Sequence, residues 1–180
     1  MERKIMGREK VCLFVLMIAV LVSTSCGRDG QRNVVQNAQD PAPCLKRADL
    51  KLIAAALKRN TATMGDAIKA GADVNVTVEG LGPPIVMTAE VGNYEGVKLL
   101  LDRAANVNAE DSEGYTALIV ASLSNSVDMV RLLLSKGANV NAPANLMING
   151  KRARFTPLMI AKSKGHQEIV RLLTEAGAKE

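Results

Sequence analysis

Three near-identical phrases decide the reading of this chain: Gly71-Ala72-Asp73-Val74-Asn75, Ala104-Ala105-Asn106-Val107-Asn108 and Gly137-Ala138-Asn139-Val140-Asn141. They recur 33 residues apart, from Asn75 to Asn108 and again to Asn141, and Gly177-Ala178 opens a shortened fourth copy. Self-similarity at a fixed period means a stack of like units, each too small to bury its own apolar face alone. The composition agrees. Outside the first residues the aromatics are Tyr94, Tyr115 and Phe155. So few large rings suit helical hairpins filled by Ala, Leu, Val and Ile better than one thick core.

Upstream of the later phrases runs a second pattern, clearest in Thr156-Pro157-Leu158-Met159-Ile160-Ala161 followed by Gly165-His166-Gln167-Glu168-Ile169-Val170-Arg171-Leu172-Leu173. Together with the period, this resembles the ankyrin repeat over about residues 49–180. The resemblance implies an all-α fold: a solenoid of about four helix-turn-helix units with β-hairpin fingers between them. In the first unit Asp49 is the expected N-cap, and Leu50, Leu52, Ile53, Ala56 and Leu57 form an apolar side. A second helix is expected from Thr63 to Ala70. The second unit enters at Pro83-Pro84-Ile85-Val86-Met87, with helices over 84–91 and 94–103 and a Val97, Leu100, Leu101 stripe. The third enters at Thr116-Ala117-Leu118-Ile119, with Val127, Val130, Leu133 and Leu134 expected inside. The fourth enters at Thr156-Pro157-Leu158-Met159. Pro is preset for a first helical turn, and Thr can cap one.

Two departures from the family pattern stand out. Its usual His after Pro-Leu is replaced by Val86, Ile119 and Met159, so apolar packing is expected there in place of hydrogen bonds. Ala104 stands where Gly71, Gly137 and Gly177 stand in the other copies, just past a helix, where a positive φ is expected. One loop is also longer. Asn75 to Pro83 and Asn108 to Thr116 are both 8 residues, whereas Asn141 to Thr156 is 15. The longer loop holds Leu146-Met147-Ile148-Asn149-Gly150-Lys151-Arg152-Ala153-Arg154. Its Asn-Gly pair suits a tight type I′ turn, so a hairpin is expected, apolar on the outgoing arm and basic on the return.

The chain begins differently. Arg3, Lys4, Arg8 and Lys10 precede an unbroken apolar run from Val11 to Val22, too short to span a bilayer comfortably and fit for the core of a secretory signal. Ser23-Thr24-Ser25-Cys26-Gly27 follows. This resembles a bacterial lipoprotein signal over residues 1–25. The resemblance implies that Cys26 carries the lipid and that the protein is tethered to the cell envelope. Ser23 departs from the Leu favoured at that position. Gly27, where an Asp would favour the inner membrane, tilts the expectation to the periplasmic side of the outer membrane. Ordinary cleavage and an uncleaved anchor are the alternatives. One acyl chain holds a protein only marginally, so a lasting tether needs more than one. Residues 26–48 then read as a flexible linker, polar up to Pro41 and Pro43, and the 22 residues after Cys26 span roughly 25 Å as a coil. With Cys12 in the signal and Cys26 acylated, Cys44 is left to pair with another chain or to remain an idle thiol.

The chemistry available points away from catalysis. The only histidine, His166, stands where ankyrin repeats often carry one at the start of a second helix. Gly80 and Gly82 are not followed by the Lys and Ser or Thr of a phosphate-binding loop. The carboxylates Glu110, Asp111 and Glu113 read as a solvated turn. No enzyme activity, cofactor, metal or small-molecule substrate is expected. Net charge is +5 overall, but the first 25 residues hold four basic and two acidic side chains, leaving 19 against 16 for the rest. That mild excess, without stacking platforms, argues against nucleic acid. A protein partner is expected instead. By the family's pattern it would meet the fingers and first helices, here Glu79, Glu90, Glu110, Ser112, Glu113, Tyr115, Leu123, Ser124, Arg152, Phe155 and Lys164. These are acidic in the early fingers and basic in the last, a gradient that could steer a complementary partner. An inhibitor or immunity factor and a structural scaffold with several weak partners both fit.

Ala104→Gly should relieve an alanine held at positive φ and stabilise the domain by about 1 kcal/mol, raising the melting temperature by roughly 4 °C. A lower melting temperature would contradict this.

Overall fold

A computed structural model describes residues 45–78, 80–148 and 151–179. The expected signal, Cys26, Cys44 and most of the linker lie outside the described residues, as do Glu79 and the Asn149-Gly150 pair. Eight helices and one two-stranded sheet make up what is described. The units are α1 (Arg47–Leu57) with α2 (Thr61–Lys69), α3 (Pro84–Glu90) with α4 (Tyr94–Asp102), α5 (Ala117–Leu123) with α6 (Val127–Ser135), and α7 (Pro157–Lys164) with α8 (Gln167–Glu175). Strands β1 (Ala144–Ile148) and β2 (Lys151–Phe155) form the long finger before α7. First helices pack in one row, α1 on α3 on α5 on α7, and second helices in a parallel row, α2 on α4 on α6 on α8. Each unit thus leans mainly on its neighbours, as a solenoid must.

The apolar seams close these rows. Leu52, Ile85, Leu118 and Leu158 are buried along the first row, and Met64, Val97, Val130, Leu100, Leu133 and Leu173 along the second. Val127 and Leu134, expected inside, are only half-buried. Val86 and Ile119 are fully buried where the family carries His, as expected, but Met159 at the same position of α7 is 41% exposed. Among the described residues no helix stacks on that side of α7, so the third apolar substitute stays partly uncovered. Polar groups within the rows are satisfied locally: Thr88 Oγ1 donates to Pro84 O at 2.6 Å and Ser122 Oγ to Leu118 O at 2.8 Å.

Helix starts follow the side chains available. Thr116 and Thr156 cap α5 and α7 through their hydroxyls, and Pro84 and Pro157 fill first-turn positions. Asn60 caps α2 by accepting from Thr63 N at 3.0 Å, so that helix starts at Thr61, two residues before the expected Thr63. Asp49 is not an N-cap. The helix begins at Arg47, and the Asp49 carboxylate lies in its first turn, 4% exposed, accepting from Lys46 N at 2.9 Å and from Asp73 N at 2.8 Å. Helices α3 and α4 each stop one residue short of the expected 91 and 103, because Val91 and Arg103 serve as C-caps. Ala104 has φ +61°, beside +88°, +82° and +87° for Gly71, Gly137 and Gly177. The left-handed position is therefore real, and alanine occupies it.

The repeated phrase has a mechanical role. In each copy the first Asp or Asn side chain turns the chain locally: Asp73, Asn106 and Asn139 accept from the backbone of Asn75, Asn108 and Asn141 at 2.8, 3.0 and 3.0 Å. The second Asn reaches forward into the next unit. Asn75 Oδ1 accepts from Asn106 N at 2.7 Å, Asn108 Oδ1 from Asn139 N at 2.7 Å, and Asn141 Oδ1 from Lys179 N at 2.8 Å. Asp49 supplies the corresponding acceptor to Asp73 from within the first unit, and each later turn is held from the unit before it. Further side chains cross the same boundaries. Asn93 Nδ2 donates to Thr61 Oγ1 at 3.1 Å, and His166 Nδ1 lies 2.9 Å from Ser122 O.

Exposed ion pairs also bridge the second row, Lys136 to Asp102 at 2.9 Å and Arg131 to Glu168 at 2.6 Å. The hydrogen bond from Lys136 holds the Asp102 carboxyl below its ordinary range. Arg171 does so for Glu168, and Glu168 in turn raises the Arg171 guanidinium. Such exposed pairs contribute little to stability.

Asn108→Ala removes one inter-unit bond and should cost about 1 kcal/mol. Asp49→Ala leaves two donors without their buried acceptor and should cost about 2–3 kcal/mol. Urea unfolding of both variants checks the order, and equal losses would contradict the anchoring role of Asp49.

Candidate partner-binding face

The fingers join each phrase to the next first helix. Finger one closes between Val78 and Gly82, with Leu81 N and Gly82 N both donating to Val78 O, at 3.0 and 2.9 Å. Finger two closes between Glu110 and Thr116. Its organiser is Asp111, whose Oδ1 accepts from Glu113 N at 2.9 Å and Tyr115 N at 2.8 Å, while its own N–H donates to Tyr115 O at 3.0 Å. Finger three is the β1–β2 ribbon, antiparallel from Ala144↔Phe155 to Ile148↔Lys151. That register leaves two residues between the strands, as a two-residue connection requires.

The fingers also brace one another. Gly82, at φ +77°, lies so close to finger two that a Cβ there would sit 2.8 Å from Asp111 Cβ. Asn145 N donates to Glu113 O at 3.0 Å, tying the ribbon to finger two on its other side. Finger two is thus fixed from both flanks, and it points Glu110, Ser112 and Glu113 into solvent.

The expected contact residues fall into two groups. Glu110, Ser112 and Glu113 sit on a fingertip. Glu90, Leu123, Ser124 and Lys164 sit at or just past the C-terminal ends of α3, α5 and α7, while the fingers lead into the opposite ends of those helices. A helix of seven residues such as α5 separates the groups by roughly 10 Å. Glu90, Ser124 and Lys164 are exposed and Leu123 is half-buried. The Ser124 hydroxyl bonds its own helix at Val120 O, 2.9 Å away. Phe155 is half-buried against the core. Tyr115 is a correction: at 2% exposed it belongs to the core. It leads straight into α5, and burying its ring seats the base of finger two. Glu79 and the side chain of Arg152 lie outside the described residues.

Comparison with known families decides the architecture. Residues 52–144 match the family model for ankyrin repeats in three copies, and residues 154–179 match that for the ankyrin repeat. The chain is an ankyrin-repeat protein. Ankyrin repeats are generic modules of protein–protein interaction and are typically non-catalytic. In this ankyrin stack His166 is spent on a contact between the third and fourth units. Among the described residues no His, Cys, Asp and Glu cluster fit for a metal ion occurs. No described helix is long and apolar enough to cross a membrane.

Sequence reasoning passed over Asp111, Gly82 and Asn145. The first read as one more solvated carboxylate of an acidic turn, although an Asp two residues before a turn amide is a known local acceptor. The other two act through contacts between fingers, for which the local sequence holds no signal.

Gly82→Ala should push finger one off finger two and strain a left-handed position, lowering stability by about 1–3 kcal/mol. The Glu113 and Tyr115 amide resonances should shift with it. Unshifted resonances would show that the fingers do not brace each other.

Proposed function

We propose that this ankyrin-repeat protein is a non-enzymatic binding module held at the bacterial envelope through a lipid on Cys26, on the periplasmic side of the outer membrane. There it captures one protein partner on its fingers and first helices, as an inhibitor or immunity factor would. The observation that carries the binding part is the bracing of finger two. A loop tied to both neighbouring fingers offers Glu110, Ser112 and Glu113 to solvent without loss of order on binding. The engagement of His166 with a backbone carbonyl supports the absence of catalysis. The tether is supported by the basic start, the short apolar run and the Thr24-Ser25-Cys26 sequence that follows it.

The test uses the full-length protein in its native envelope, gently solubilised, beside a variant carrying Glu110→Lys and Glu113→Lys. One near-stoichiometric partner should co-purify with the parent and be lost from the variant. Several weak companions, equally retained by both, would contradict the reading and favour a scaffold. Growth with an alkyne fatty acid should label the parent and leave Cys26→Ser unlabelled and unattached, and an unlabelled parent would rule out the lipid tether.

A further inference from the structure

The outer edge of the long finger has a feature that the fingertip reading does not use. The sheet consists of β1 and β2 alone, and along an antiparallel pair main-chain groups point alternately toward and away from the partner strand. The phase is fixed by Asn145, whose N–H turns away from β2 to reach Glu113 O. Asn145 pairs with Arg154, and Met147 with Arg152. The N–H and C=O groups of Arg152 and Arg154 therefore point away from β1, along an edge where no other described strand stands.

An edge of this kind is a template for another strand, and its charge selects which one. Within β2 the chain carries three basic residues (Lys151, Arg152 and Arg154) and no acidic one. A second copy of β2 would bring like charges together and be repelled. An acidic strand would be drawn in.

We propose that the outer edge of β2 takes an extended, acidic segment of the partner protein as a third strand. Its main chain pairs at Arg152 and Arg154, and its carboxylates answer the basic side chains. This rests on the binding-module reading and names the class of partner.

The probe is an acetylated, amidated peptide of four Glu-Val repeats, titrated by fluorescence anisotropy into the full-length detergent-solubilised protein. It should bind, while its Lys-Val counterpart should not. Of two Glu-Val peptides N-methylated at alternate amides in opposite phase, one should lose about tenfold or more in affinity, since it cannot donate to the edge. Arg154→Gln should weaken binding only about threefold, whereas Arg154→Pro, which removes an outward N–H and no β1–β2 bond, should weaken it about tenfold further. If both N-methylated peptides bind like the parent, the contact is charge alone and the inference fails; it fails equally if the Glu-Val peptide does not bind. A native partner lost with the Glu110/Glu113 reversal but indifferent to Arg154→Pro would overturn the third strand and leave the binding module standing.

Discussion

From its repeated phrase, each unit of this stack reaches the next turn through one short side chain. Asn75, Asn108 and Asn141 accept from a backbone amide of the following turn, and Asp49 holds the first turn from within its own unit. Single bonds of this type contribute only about 0.5–1.5 kcal/mol each, far less than the apolar seams between the helix rows. Their importance is geometric. Hydrophobic packing is non-directional and would tolerate small rotations of one hairpin on another, whereas a bond of 2.7–2.8 Å to a specific amide sets the register of each turn against the last.

The fingers inherit that register. Because each turn after the first is held from the unit before, successive fingers leave the stack side by side, near enough for Gly82 to lie against Asp111 and for Asn145 to bond Glu113 O. The face offered to a partner is thus built by the same phrase that builds the fold. Its acidic tip and basic ribbon are neighbours because the units are, although Glu110 and Arg154 are distant in sequence. At the far side of the first helices, Glu90, Ser124 and Lys164 form a separate polar rim.

Much of this was legible beforehand. The period followed from the repeated phrase, the helix pairs from the resemblance to the ankyrin repeat, and the long hairpin from one spacing of 15 against 8 together with its Asn-Gly pair. The positive φ at Ala104 followed from its glycine counterparts. What escaped depended on three-dimensional neighbours. Asp49 looked like a cap because Asp is good at capping, but its burial and the amide donors of Lys46 and Asp73 gave it another place. Met159 looked like Val86 and Ile119, but among the described residues no further helix of the first row stacks on α7, and it is left exposed. Tyr115 stood in a loop by sequence and in the core by structure, since the residue just before a first helix faces inward. The two groups of candidate contacts could not be told apart while the direction of each helix was unknown.

The most direct measurement is native-state hydrogen exchange at the backbone amides of Asp73, Asn106, Asn139 and Lys179. Asp73, Asn106, Asn139 and Lys179 are all exposed turn residues and would exchange quickly if their turns were held only by helix packing. The account predicts protection well above that of neighbouring turn amides, with Asn106, Asn139 and Lys179 opening only when whole units separate. Exchange at the rate of free loop amides would contradict it, and the stack would then owe its register to the apolar seams alone.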